Sequence, residues 1–517
     1  MRHFWYGTAA GCAFVVVSLM ARAADSVPTL PELAQDRLVL LLPGPLFSLL
    51  LDRLLYLGKP LLFAALLLAE VAAGGLAGLA IGRWGRPAAA AAALWLLTGF
   101  VLLPLVDRGV FAGSAEVALV LLLGLAAYAL TYTLFAGLPL SLAALFGPAQ
   151  ETRQAEAETP EARAAAQIDR RRLLAGGTLG LATVLLTRRA IGRLPELPPR
   201  GGGGSALAAG GGDASAGGAD EAFSGLPPPV TPVDRFYIVS KNLLDPVSNG
   251  KSWRLHVGGM VERPLTLGYG EITALPAVTQ DRTLECISNE TGGDLISNGV
   301  WTAARLADVL QRAGVQPGAA AITFSSADKY TSALPLAQAQ DPSTLLAYQL
   351  DGAPLPHKHG YPVRVLAAGL YGMKNPKWLT RIDLVAAEQP GFWQQQGWDE
   401  QGIIQTMAQI NTPVDGAKLA AGTVQLAGIA FAGARGIARV EVSSDGGVSW
   451  ADARLLPSLG PNTWTFWQNA WQPAGSGAFT LSVRATDGSG TEQPARRTDP
   501  FPAGATGYHQ IRVRVGG

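Results

Sequence analysis

The residues that could do chemistry in this chain centre on one thiol. Cys286 stands in LECISNETGGDLISNGVW, residues 284–301, among Asn, Ser, Gly, Thr and Asp. A solitary cysteine has three ordinary uses: a small buried hydrophobe, a nucleophile activated by a histidine, or a single thiolate ligand to a metal. The polar, glycine-rich run after it does not fit a plain core position. It reads as a loop whose backbone passes close to another group. The only other cysteine, Cys12, lies in an apolar N-terminal run. The pair therefore forms no disulfide framework, and no CxxC or Cys/His spacing marks a zinc site. With five histidines and no CxxCH, a covalent haem is also not expected.

The elements that must position this thiol belong to a chain of 517 residues, about three domains long. Its formal net charge of +1 gives no electrostatic case for nucleic acid as a partner. Hydropathy is concentrated in the first 190 or so residues. Four apolar runs, about 8–24, 60–82, 87–106 and 115–141, approach the length needed to cross a bilayer, and 173–190 is a fifth. Segment 38–57, broken by Pro43 and Pro45 and carrying Asp52 and Arg53, reads as interfacial or re-entrant. Arg83 and Arg86 in GRWGR, with Arg170–Arg172, mark cytoplasmic loops and put everything after about residue 190 on the periplasmic or extracellular side. ARA at 21–23 leaves the first run readable as either a retained span or a cleaved signal. DRRRLLAGG (169–177) looks like an internal twin-arginine export signal, with a simple basic flank as the alternative. Glu70 inside an apolar run must face protein or water. His3 is the only histidine before residue 256, so no histidine pair offers a site for haem b.

A Gly/Pro-rich linker, 195–232, tethers the second half. Residues 233–405 mix short β-like runs such as WRLHVGGMV and YPVRVLAAG with helices, of which TAARLADVLQRAG (302–314) stops at Gly314. Residues 406–517 carry short strands at regular spacing with Gly/Asp turns, the pattern of an immunoglobulin-like β-sandwich. The fold class expected is thus an α-helical transmembrane region, an α+β domain and a C-terminal all-β sandwich.

Several segments, in order, resemble the molybdopterin-dependent oxidoreductases of the sulfite oxidase family. These are FYIVSKNLLDP (236–246), WRLHVGGMVERPLTL (253–267), TLECISN (283–289), VWTAARLADVL (300–310), the forty residues from LAYQLDGAPLPHKHGYPVRV to KNPKWLTRIDLV (346–385), VEVSSDGGVSW (440–450) and GATGYHQIRVRV (504–515). The resemblance implies that Cys286 is the protein's thiolate bond to molybdenum and that the C-terminal sandwich is a dimerisation domain. It implies Arg364 and Lys377 as cations for the pterin chain or its phosphate. Asn375, Pro376 and His359 would lie against the cofactor, with Tyr237, Ile238, Ser326 and Asp234 as further contacts. Trp398 falls where the family carries a catalytic tyrosine.

The places of the arginines that surround sulfite in the family read Ser240–Lys241–Asn242 and Glu290–Thr291 here. A carboxylate there would repel a dianion, so the expected substrate is a small oxo-compound other than sulfite, handled by oxygen-atom or two-electron transfer. Relatives that reduce methionine sulfoxide share the cradle and lack those arginines, which makes S- or N-oxide reduction the alternative. A membrane-tethered assembly protein with a silent site is the alternative of another class. The partners expected are the lipid bilayer, a small-molecule substrate, a cytochrome or quinone-linked redox partner, and a second copy of the chain.

Overall fold

The computed structural model describes residues 2–25, 27–33, 58–84, 87–105, 115–136, 225–242 and 245–516. Segments 38–57, 169–177 and 173–190, and the linker up to residue 224, lie outside the described residues. The chain forms two compact units, 1–198 with 241–244, and 199–240 with 245–517.

The first unit is helical: α1 Arg2–Asp25, α2 Gly58–Trp84, α3 Pro87–Leu97 and α4 Ala115–Ala136. Stretches 2–22, 63–83 and 115–136 are long and apolar enough to cross a membrane. The expected span 87–106 differs. Its helix widens into a π-turn at Thr98–Leu102, and the continuous apolar helical run is the shorter 89–102. Pro104 follows one turn on and has no N–H to continue the ladder, a common cause of such widening.

Glycines let α1 and α2 touch backbone to backbone. A Cβ on Gly7 would collide with the carbonyl oxygen of Gly74 and the α-carbon of Gly78. Against the same stripe, Tyr128 of α4 donates its hydroxyl proton to Gly74 O at 2.7 Å, and Tyr132 donates to Gly78 O at 3.1 Å. The His3 ring lies 2.8 Å from the Tyr132 oxygen. Both carboxyl oxygens of Glu70 are buried and have no hydrogen-bond partner among the described residues.

The second unit contains an α+β part and an all-β part. In the former, β1 (Arg254–Gly259), β2 (Leu265–Gly268), β5 (Ala321–Ser326), β6 (Thr331–Pro335) and β10 (Leu379–Val385) form one sheet in the order β2-β1-β10-β5-β6. A second sheet joins β3 (Ala277–Glu285), β4 (Ile296–Arg305), β7 (Leu345–Leu350) and β8 (Ala353–Pro354), with β9 (Arg364–Leu366) on β7. Alternate residues of β1 and β10, including Leu255, Val257, Ile382 and Leu384, enter a core shared with Leu306, Val309 and Leu310 of helix Leu306–Ala313. That helix is shorter than its sequence pattern. Thr302–Arg305 are taken into β4, where Ala303 to Arg305 pair with β7, while the stop at Gly314 stands with φ +71°. Pairing with a neighbouring strand overrides the local helical periodicity.

The C-terminal part has two sheets. One runs β11 (Met407–Thr412), β13 (Val424–Phe431), β17 (Thr465–Trp471), β16 (Arg454–Leu455). The other runs β12 (Lys418–Leu419), β19 (His509–Val515), β18 (Gly477–Asp487), β14 (Ile437–Ser443), β15 (Ala451–Asp452). Ala408, Ile410, Leu426 and Trp467 from the first sheet and Val440, Val442, Leu481, Val483 and Ile511 from the second share one core.

One buried cation ties the thiol's strand to its neighbours. Arg282 on β3 donates to Leu366 O of β9 at 3.1 Å and to Ser343 O at 2.7 Å, and burial pulls its pKa down to about 10. Replacing Arg282 by Met leaves those carbonyls without their donor and is expected to cost about 2–4 kcal/mol. A urea midpoint unchanged in R282M would contradict this.

Candidate active site

Cys286 follows directly on β3, and the loop it opens returns into β4. Strand pairing reaches Glu285↔Ile296, so the two strands grip the loop at its base. Within it, Cys286 N–H donates to Leu295 O at 2.9 Å, and Asn289 N–H donates to Cys286 O at 3.0 Å. Asn289 closes the loop from inside, its Oδ1 accepting from Leu295 N–H at 3.0 Å and its Nδ2 donating to Glu285 Oε1 at 3.0 Å. The thiol is buried, 3.0 Å from Ser288 Oγ. The Gly, Asn and Ser of this stretch therefore make a self-bonded loop. Burial pushes the carboxyl of Glu285 up to about 7, against the Asn289 hydrogen bond, and its Oε2 has no partner.

Two cations, the buried Arg364 and the half-buried Lys377, stand in the neighbourhood of this thiol. Arg364, on β9, donates to His359 O at 3.3 Å and Asn375 O at 3.1 Å and lies 5.4 Å from the Trp301 ring, while its Nε has no partner among the described residues. Burial brings its pKa down to about 10. Lys377 donates to Val239 O at 3.2 Å and Lys358 O at 3.0 Å, with its ammonium 4.3 Å from the Trp378 ring. Burial lowers its pKa, with Asp245 opposing. Neither cation is ion-paired to a carboxylate among the described residues. Gly360, at φ +111°, lets the two approach: a Cβ there would lie 3.0 Å from Cβ of Lys377 and 3.1 Å from Cβ of Arg364.

His359 is buried, its Nε2 3.4 Å from Val233 O and its ring edge-on to Phe236 at 5.4 Å. Burial, then the positive charges of Lys377 and Arg364, push its pKa down to about 3, so at neutral pH the ring is an uncharged hydrogen-bonding group. Asn375 is held on three sides: Oδ1 accepts from Ala367 N–H at 2.6 Å, and Nδ2 donates to Leu370 O at 3.2 Å and Tyr371 O at 2.9 Å. It aims its own carbonyl at Arg364. Pro376 O receives the Val365 N–H at 3.0 Å, which locks the segment against β9. Ser326, at the end of β5, has a buried hydroxyl with no partner among the described residues.

Tyr237 is anchored by its N–H on Ser297 Oγ at 3.0 Å. Its hydroxyl pKa is raised well above normal by burial and then by Cys286, with Arg364 opposing. The structure thus brings Cys286, Tyr237, His359, Arg364, Asn375, Pro376 and Lys377 into one neighbourhood. Ile238 is half-buried beside Tyr237, and Asp234 is exposed.

Trp398 is placed differently. It packs in an aromatic core with Ile287, Tyr371, Ile404 and Trp464, edge-on to Phe501 at 5.2 Å, with its Nε1 buried and unpartnered. A further group whose pKa feels the thiol is Tyr330, raised by burial, by Asp328 and by Cys286, and donating to Met373 O at 2.6 Å. Nothing in DKYTS marks this tyrosine, which only strand pairing carries towards residue 286. Tyr371 is a second such group. Glu290 has an exposed side chain.

No group of three or more His, Cys, Asp or Glu among the described residues could hold a metal ion. A metal on Cys286 would therefore take its other ligands from a non-protein group. Arg364 and Lys377, with no carboxylate ion pair among the described residues, and the buried atoms Arg364 Nε and Ser326 Oγ, with no hydrogen-bond partner there, fit such a group, one that is anionic and rich in hydrogen-bonding atoms.

Known proteins point the same way. Residues 243–393 match the family model described as oxidoreductase molybdopterin binding domain, and 399–515 match the Mo-co oxidoreductase dimerisation domain. The chain is similar to sulfite oxidase of Arabidopsis thaliana, 31% identical over 46% of this chain and 74% of that one. It is likewise similar to mitochondrial sulfite oxidase of Homo sapiens, 31% identical over 53% of this chain and 60% of that one. The solved sulfane dehydrogenase SoxCD of Paracoccus pantotrophus matches with TM-score 0.49 and 22% identity over 55% of this chain and 83% of that one.

The neutral His359 predicts a pH dependence of stability in cofactor-free protein. Its folded pKa of about 3 lies below the ordinary 6.5, so between those values the unfolded chain binds the extra proton. Stability is full above 6.5 and is lost as pH falls towards 3, by about 1.4 kcal/mol per pH unit for one proton. His359→Gln is expected to flatten that slope by about one proton. Urea titrations of both proteins between about pH 4 and 6 check this, and parallel slopes would refute it.

Proposed function

Because the chain belongs to the sulfite oxidase family of molybdopterin-dependent oxidoreductases, we propose that Cys286 is its thiolate ligand to molybdenum and that its substrate is a small oxo-compound other than sulfite. The observation that carries the cofactor assignment is a buried arginine, Arg364, and a half-buried lysine, Lys377, beside a buried thiol, neither of them ion-paired to a carboxylate among the described residues. When bound, the molybdenum cofactor supplies two-electron redox and oxygen-atom exchange.

The chain supplies binding and orientation. Arg364 and Lys377 hold the anionic end of the pterin through charge-assisted hydrogen bonds. Asn375 and Pro376 fix the backbone against it, while His359 and Ser326 offer uncharged hydrogen bonds. Tyr237 and Tyr330, whose raised pKa values keep their hydroxyls protonated, line the thiol's surroundings, with Tyr330 donating to Met373 O. Trp398 closes the neighbourhood from the side of Ile287 and excludes water.

The substrate reading rests on charge. Glu290 on the thiol's own loop, where the family carries arginine, disfavours a dianion. Reduction of S- or N-oxides fits this better. Sulfite oxidation is the second reading, favoured by the names of the relatives. The three apolar helices support anchorage in a bacterial membrane, and arginines at 83 and 86 support an orientation with the catalytic half outside. Electrons would then pass to or from an external cytochrome or quinone-linked partner. The C-terminal sheets would form an immunoglobulin-like sandwich that pairs two copies.

Metal and pterin analysis tests the assignment. Stoichiometric molybdenum in the purified chain and its loss in Cys286→Ser are expected, and wild-type protein without metal would end this reading. Dye-linked assays on a panel of S- and N-oxides are expected to outrun sulfite oxidation, and the reverse order would establish the second reading.

A further inference from the structure

The strand and loop that carry Cys286 are gripped from outside by the C-terminal β part, on both sides of the thiol. Three residues before it, Thr283 N–H donates to Asn462 O at 3.0 Å, and Thr283 Oγ1 accepts from Trp464 N–H at 2.9 Å. Five residues after it, Thr291 Oγ1 donates to Thr506 O at 3.2 Å. Next to that, Gly292 at φ +79° lies so close to His509 that a Cβ would meet ring atoms Cδ2 and Nε2. Between these pins, Ile287 and Ile296 pack with Ile429, Phe431, Trp464 and Phe466 from β13, β17 and the turn before it.

His509 is itself fixed. Its Nδ1 accepts from Ile410 N–H at 3.0 Å, which places the ring proton on Nε2, the atom that faces Gly292. Burial, then Arg497, keep the ring neutral by drawing its pKa down to about 4, with Asp415 opposing. A rigid uncharged ring anchored in the β11–β19 contact thus abuts the loop tip at a glycine.

We propose that the C-terminal β part is a clamp for the thiol loop, with His509 as a positioning residue that sets where Cys286 is presented. A domain whose family is described by dimerisation would then also be part of the metal site's support. Changes in its packing, pairing of two copies included, would act on the thiol through Gly292 and Thr283. Support of a metal rests on the function proposed above, while the clamp itself is a property of the polypeptide.

The test uses the full chain with Cys12→Ser, purified without cofactor, and follows alkylation of Cys286 by iodoacetamide under native conditions. His509→Ala and His509→Asn are expected to raise the rate about tenfold, because the loop opens more often. Asn keeps the acceptor for Ile410 but does not reach Gly292. His509→Gln, whose amide nitrogen extends to the place of Nε2, is expected to restore most of the slow rate. Gly292→Ala, which attacks the same contact from the loop side, is expected to behave like His509→Ala. Circular dichroism and melting identify any variant that has merely unfolded, and the rates are then compared among the variants that stay folded.

Unchanged alkylation in folded H509A and G292A would overturn the clamp. So would slow alkylation in H509N, which would reduce His509 to its Ile410 bond. In cofactor-loaded protein, H509A is expected to shift the Mo(V) electron paramagnetic resonance g-values, and an unshifted spectrum would count against presentation of the thiol. Wild-type protein that never loads molybdenum would sink the cofactor reading and leave the alkylation result standing.

Discussion

Removal of two positive charges from water, Arg364 fully and Lys377 in part, with no carboxylate ion-paired to either among the described residues, is the constraint on which the rest of this site depends. A guanidinium and an ammonium removed from water cost several kcal/mol each unless something negative shares the space. Here their hydrogen-bond and ring partners are carbonyl oxygens and the faces of Trp301 and Trp378, and Asp245 acts on Lys377 through space. Carbonyl dipoles and aromatic faces reduce the penalty without cancelling it. A ligand that brings its own negative charge would balance the arrangement, in keeping with the cofactor-binding role proposed for these two residues. The fall of the His359 pKa to about 3 comes first from burial and then from these neighbouring charges, which oppose a third positive charge there.

Much of the surrounding architecture holds those charges in place. Gly360 gives them room to approach, Asn375 stiffens the segment between Leu370 and Lys377, and Arg282 links the strand of the thiol to the strand of Arg364. Each is a hydrogen-bonding or steric device inside a core that is otherwise Leu, Val, Ile and aromatic. Rigidity at this level suits a cofactor enzyme, in which the protein contributes orientation while the cofactor supplies the redox chemistry. The C-terminal β part extends the same logic to the thiol loop.

The sequence was legible where local chemistry and order along the chain carry the signal. Cys286, Arg364, Asn375 and Lys377 stand in motifs whose succession identifies the family, and the structure gathers them with His359 and Tyr237. The stop at Gly314 and strands such as β13, β18 and β19 also follow from local pattern. Legibility failed where distant segments decide. Thr302–Arg305 read as helix and fold as strand, because β7 supplies a partner for them. Tyr330 carries no local mark, since its approach to the thiol depends on the hairpin of β5 and β6. The third apolar run is interrupted by a π-turn before Pro104, a detail that hydropathy averages away.

By itself, then, the sequence determined the chemistry available: one thiol outside the apolar half, cations in a family-specific order, apolar runs of membrane length, and β-rich texture at the end. Residue type and near-neighbour spacing are enough for these, because they report intrinsic reactivity, hydropathy and local periodicity. Only the tertiary structure decided that Arg364 and Lys377 lack carboxylate partners among the described residues, that His359 is neutral, that Trp398 lies in an aromatic core, and that the C-terminal sheets pin the thiol loop at Thr283 and Gly292. Burial and through-space charge arise between residues tens to hundreds of positions apart, and a linear pattern holds no record of those distances.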